Sequence, residues 1–204
     1  EKNKHTERLL PLVDAVLKQR NVAVADCAAV AFGAGPGAFT GVRTACAAAQ
    51  GLAWAVDRPV ICVPTLTAAA VLFFCEQPDV RRVLIALDAR MHECYVQAFE
   101  AGHPDAPAAL SEPAAVKPSE IGNLVCEFNC GAAAGSAFAV YPEATESAGC
   151  PVFAGLEVTS RGVALLARTM FMKGEVVTAS LASPIYVRNR VALTIKERQA
   201  GEKL

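Results

Sequence analysis

The residues best suited to chemistry fall in two short runs, Gly35-Pro-Gly-Ala-Phe-Thr-Gly-Val-Arg43 and Asp88-Ala-Arg-Met-His-Glu93. In the first, Gly35, Gly37 and Gly41 permit positive φ and close backbone approach, Pro36 fixes its own φ, and Thr40 stands where a helix N-cap is expected. A glycine turn that launches a helix offers free N–H groups and a positive helix end to an anion. The spacing nevertheless departs from both common phosphate signatures. No lysine followed by Ser or Thr completes a P-loop, and G-x-G-x-x-G becomes Gly35-x-Gly37-x-x-x-Gly41. Two readings stand: a structural turn with something packed close to its backbone, and an anion site. The second run holds Asp88, Arg90 and Glu93 and no glycine. Side chains at Ala89 and Arg90 hinder backbone approach to a phosphate, although the guanidinium could pair with one. The alternative is a hairpin turn locked by salt bridges and turn hydrogen bonds among Asp88, Arg90 and Glu93.

Other chemistries find little support. The eight cysteines are scattered without a CxxC pair, and only Cys126 and Cys130 are close. His5, His92 and His103 form no H-x-x-x-H pair, so no metal site is expected. No nucleophile elbow precedes a serine. Cysteines among apolar neighbours read as buried free thiols in a reducing, cytoplasmic setting.

The elements that must position these runs alternate between strand and helix. An amphipathic helix over His5 to Lys18 has Leu9, Leu10, Val13, Val16 and Leu17 on its apolar side, with a kink at Pro11 or a start near it, and Thr6 as a cap. A strand at Ala28 to Phe32 leads into the glycine turn, and a helix from Thr40 to Val56 follows. One side of that helix carries Gly41, Ala45, Ala48 or Ala49, and Leu52; Arg43, Ala47, Gln50 and Trp54 lie on another. A strand at Val60 to Val63 and a helix from Thr65 to Glu76 complete a first unit, residues 1–81. A second unit, 82–204, opens with the strand Val83 to Leu87, the Asp88 turn and a returning strand, Glu93 to Glu100. The stretch 101–118, with four prolines, reads as a loop with at most a short edge strand. A helix from Ser119 to Phe128, a glycine and alanine turn over Cys130 to Ser136, a helix from Thr159 or Ser160 to Lys173 and a weakly helical tail from Val191 follow. Alternation of this kind implies a layered α/β fold.

Hydrophobic residues make up 53% of the 204 and charged residues 19%, which is ample for a core and excludes global disorder. No apolar run is long enough to span a bilayer, and no signal peptide is visible. The net charge of −1 argues against direct RNA binding, which draws on basic patches, so any RNA contact is expected through a partner.

Several motifs in order resemble the bacterial TsaB family, also called YeaZ. They are His5-Thr-x-x-Leu-Leu-Pro11, the glycine turn with Phe39-Thr-Gly-Val-Arg43, Ala49-Gln-Gly-Leu-Ala53, Val63-Pro-Thr-Leu66, Asp88-Ala-Arg-Met91 with Glu93 and Tyr95, and Pro184-Ile-Tyr-Val-Arg188. The resemblance implies an actin/hexokinase/Hsp70-like fold of two α/β subdomains, preceded by a β-hairpin of roughly thirty residues that this chain lacks. It implies a noncatalytic subunit that binds a larger paralogous transferase (TsaD-like), which moves threonylcarbamoyl to adenosine 37 of tRNA with help from a small TsaE-like ATPase. The expected contact residues are Thr6, Leu9, Leu10, Val13, Arg43, Ala47, Gln50 and Trp54. No intrinsic cofactor is expected, with ATP or ADP only at the joint interface, and a homodimer when the partner is absent. The alternatives are a nucleotide-dependent phosphotransferase of the same fold, needing the glycine turn and Asp88, and a metal-dependent glycoprotease, which the missing histidine pair disfavours.

Overall fold

The computed structural model describes residues 5–103 and 106–187. Two sheets share one layer of helices. The smaller holds strands β1 (Val30–Gly35) and β2 (Val60–Pro64), paired in parallel. In the larger, β3 (Arg82–Asp88) lies between antiparallel β4 (Cys94–His103) and parallel β7 (Ala132–Ala134). Beyond them come β5 (Ala106–Ala109), β6 (Ala114–Val116) and β8 (Val152–Phe153), giving the order β5-β4-β3-β7-β8 with β6 also on β4.

The period of two along β3 sorts its side chains to opposite faces. Val83, Ile85 and Leu87 pack with Leu66, Ala70 and Phe73 of helix α3 (Thr65–Glu76). Leu84 and Ala86 pack with Ile121 and Val125 of α4 (Ile121–Glu127), Phe138 of α5 (Ala137–Val140) and Ala144 of α6 (Pro142–Ala148). Helix α3 is apolar on nearly every side because it is also covered from the small sheet: Ala68 and Val71 meet Ile61, Val63 and helix α7 (Ser160–Met172). Gly162 of α7 allows that approach, since a Cβ there would sit 2.8 Å from the Ala68 carbonyl. The outer face of the small sheet is covered by α2 (Phe39–Ala55), whose Cys46, Ala49 and Ala53 bury against Phe32, Ala34, Ala179 and Ala182. The last described segment therefore returns to the first sheet, with Val177 paired to Val60 and Ile185 N donating to Ala34 O at 2.7 Å.

Helix α1 (His5–Arg20) runs through Pro11 without starting there. The side chain of Thr6 lies outside the described residues, as do Arg188 and the tail expected to be helical. Thr40 is not the cap of α2. The first i to i−4 bond runs from Val42 N to Ala38 O, so Ala38, with ψ 123°, holds the cap position and Thr40 is already helical. The stripe that α2 buries is Cys46, Ala49 and Ala53, leaving Gly41 exposed.

The segment expected as a glycine and alanine turn is instead β7, a fully buried strand between β3 and β8. Its alanines lack the branched side chains that mark strands, and burial on both faces overrides their weak propensity. Gly135 ends it at φ +127°, where a Cβ would meet the Ala86 carbonyl. The region expected as a proline loop contains β5 and β6, both on β4. Helices α5 and α6 were absent from the sequence reading, and a 3-10 turn at Pro118–Glu120 precedes α4.

Candidate partner face and cleft

Gly35 has φ +115°, and a Cβ on it would lie 2.6 Å from the Ile185 carbonyl oxygen. The group packed against this turn is thus backbone of the same chain. Gly35 N donates to Thr65 Oγ1 at 3.1 Å, so this amide is already used. A Cβ on Gly37 would stand 3.3 Å from Val42 Cγ2, a tight approach, whereas a Cβ on Gly41 would make only ordinary contact.

Across from the glycine turn, Arg90, Met91 and His92 hold φ of 60°, 55° and 59°, three successive left-handed residues without a glycine. Asp88 organises them. Its Oδ1 accepts from Arg90 N at 2.8 Å and from the Tyr141 hydroxyl at 2.8 Å, and its Oδ2 pairs with Arg90 Nη1 at 3.1 Å. Glu93 contributes through its backbone, its carbonyl accepting from Ala89 N and its N–H donating to Arg90 O. His92 Nε2 lies 2.9 Å from Glu143 Oε1, its ring edge-on to Tyr141. Burial first, then the hydrogen bond to Asp88, pushes the Tyr141 phenol up to about 12.

The two turns face each other across a cleft of about 500 Å³, lined on one side by Pro36, Gly37, Ala38, Phe39 and Val42. Asp88, Ala89, Arg90, Met91, Tyr95 and Ser136 line the other, with Ile185, Tyr186 and Val187 at one end. Sequence reasoning gave no role to Tyr141, Ser136, Ile185 or Tyr186. A usable signal existed: all three tyrosines of the chain, Tyr95, Tyr141 and Tyr186, gather at this cleft or on its Asp88.

Phe39 connects this cleft to a groove of about 600 Å³ between α1 and α2, lined by Leu9, Leu10, Thr40, Arg43, Thr44, Ala47 and Ala48. Four of the expected contact residues, Leu9, Leu10, Arg43 and Ala47, therefore share one groove. Gln50 and Trp54 line a separate hollow of about 350 Å³ with Ala179 and Ser180. Gln50 is partly committed inside the chain, its Nε2 donating to Ala182 O at 3.0 Å, while Trp54 is 74% exposed. Val13 is half-buried and lines neither. None of residues 7–20 is buried, and Leu10, Leu12 and Val16 are each more than half exposed.

Among the described residues no helix is long and apolar enough to cross a membrane, and no three His, Cys, Asp or Glu residues cluster as metal ligands.

Residues 2–160 match the family described as TsaD, tRNA N6-adenosine threonylcarbamoyltransferase. The tRNA threonylcarbamoyladenosine biosynthesis protein TsaB of Escherichia coli is 31% identical over 92% of this chain and 82% of its own length. The TsaB protein of Haemophilus influenzae is 46% identical over 45% of this chain and 38% of its own. A Pseudomonas aeruginosa structure described as YeaZ superposes with a TM-score of 0.77 at 32% identity, covering 89% of this chain and 84% of that one. A second, described as similar to peptidase YEAZ, has a TM-score of 0.80 at 33% identity, over 90% of this chain and 84% of that one. With a family match across three quarters of its residues and a relative aligned along most of both chains, this chain belongs to the TsaB/YeaZ family.

Proposed function

We propose that this chain is a noncatalytic subunit in tRNA threonylcarbamoyladenosine synthesis, an actin-type pair of α/β subdomains that binds and activates a larger transferase related to it. The printed names of the TsaB relatives support the pathway, and the match to the transferase family supports common ancestry with the partner. One observation carries the binding role: α1 has a wide apolar flank with no buried residue over 7–20, beside an open groove against the small side chains of α2. A partner helix laid there buries Leu9, Leu10 and Ala47 in one step, with Thr6, Val13, Gln50 and Trp54 at the margins and Arg43 fixing register. In the same account the glycine turn aims α2 at the partner and the Asp88, Arg90 and Glu93 turn is a structural lock. A nucleotide binds only where both subunits meet, and a small TsaE-like ATPase is a further partner of the assembly. When the partner is absent, a second copy uses the same face.

The test is titration of the transferase paralogue from the same organism with wild type, Leu10→Glu and Ala47→Arg. Both variants are expected to weaken the complex by at least about 100-fold, since a charge or long side chain in a packed interface costs several kcal/mol. Unchanged affinity in folded variants would reject this face.

A further inference from the structure

The groove between α1 and α2 is apolar and small-residue in character apart from its threonines, and among the described residues Arg43 is the single charge that lines it. This arginine is not loosely solvated. Its guanidinium carbon stands 3.8 Å from the centre of the Phe39 ring and 5.8 Å from that of Tyr186, and its Nε donates to the Tyr186 hydroxyl at 2.9 Å. The stack uses one face of the group and the bond one edge. Its terminal nitrogens form the other edge of a planar fork suited to a carboxylate. Among the described residues no carboxylate pairs with it.

Resting on the docking face proposed above, we infer that Arg43 is a preorganised anchor for one carboxylate, carried by an otherwise apolar helix of the protein partner. Holding the guanidinium against the Phe39 ring and the Tyr186 hydroxyl before binding removes most of the rotamer entropy that a free arginine loses on docking. The pairing then fixes register along the groove and selects against partners with a cation at that point. A nucleic-acid phosphate is the weaker match, because RNA affinity draws on several cations and this groove has one among the described residues.

The experiment uses the full chain and the transferase paralogue, with affinity measured by calorimetry and folding checked by circular dichroism. Arg43→Gln, close in shape, is expected to weaken the complex about 10- to 100-fold. Arg43→Lys should fall between, since a point charge replaces the fork. Arg43→Glu should be the weakest, and one Asp or Glu to Arg change on the transferase's docking helix should restore it. Wild-type affinity in folded Arg43→Gln and Arg43→Glu, with Leu10→Glu still disruptive, would overturn the anchor and leave the docking face standing. Absence of binding by wild type would instead remove the docking reading beneath it. Loss of tRNA binding by the assembled complex, with subunit affinity unchanged, would assign Arg43 to phosphate and overturn the inference.

Discussion

Asp88 is the residue on which the second turn depends. Its side chain is 10% exposed and is satisfied by Arg90 and by the Tyr141 hydroxyl. Tyr141→Phe removes one donor to a largely buried carboxylate, and a loss of about 1.5–3 kcal/mol is expected by urea denaturation. At the glycine turn, Gly35→Ala combines positive φ with a clash on the Ile185 carbonyl, so a loss of at least ~1–3 kcal/mol is expected. Gly41→Ala meets only ordinary contact on an exposed helical position and should be neutral or slightly stabilising. Equal effects at the two glycines would contradict the view that only Gly35 is held by packing. The Asp88 to Glu93 turn was legible because an apolar strand precedes it and an alternating strand follows it. The Arg43 to Tyr186 bond was not, because its partners are 143 residues apart.

At the scale of elements, α2 divides along its length. Its buried stripe supports the small sheet, whereas Thr40, Arg43 and Ala47 open to the groove. Ala49→Leu or Ala53→Leu should overpack the core at a cost of about 1–3 kcal/mol. Leu10→Glu and Ala47→Arg, both exposed, should stay within about 0.5 kcal/mol of wild type in the isolated chain. Denaturant midpoints separate the two groups. Continuous apolar runs bounded by turn or cap residues, such as α3 and β3, could be read from sequence. The three-alanine β7 and the four-residue α5 could not, because their state is set by burial among neighbours rather than by side-chain pattern.

The whole molecule carries a pH signature from its interior. Burial raises the Cys94 thiol to about 12, with the nearby Asp88, Glu143 and Glu93 charges adding to it. Burial also raises Cys130 to about 11 and Tyr141 to about 12. The unfolded chain releases these protons near the ordinary values of 9.0 and 10.0, so above pH 9 it binds fewer protons than the folded chain. Stability is therefore complete below pH 9 and falls as pH rises toward 12. Denaturation between pH 8 and 11 should show that decline, and Cys94→Ala should flatten it; a pH-independent midpoint would contradict the assignment. Glu100 acts at the other end. Hydrogen bonds from Arg82 and then Arg81 hold its carboxyl below the usual range, a contribution present at neutral pH and lost on acidification.

The central claim, that this chain serves a tRNA-modifying transferase rather than catalysing by itself, is met most directly by reconstitution. Threonylcarbamoyladenosine in tRNA is measured with the transferase and its ATPase, with and without this chain. The account predicts product only when the chain is present, and little product with Leu10→Glu. Equal product without it, or product from this chain alone, would contradict the account.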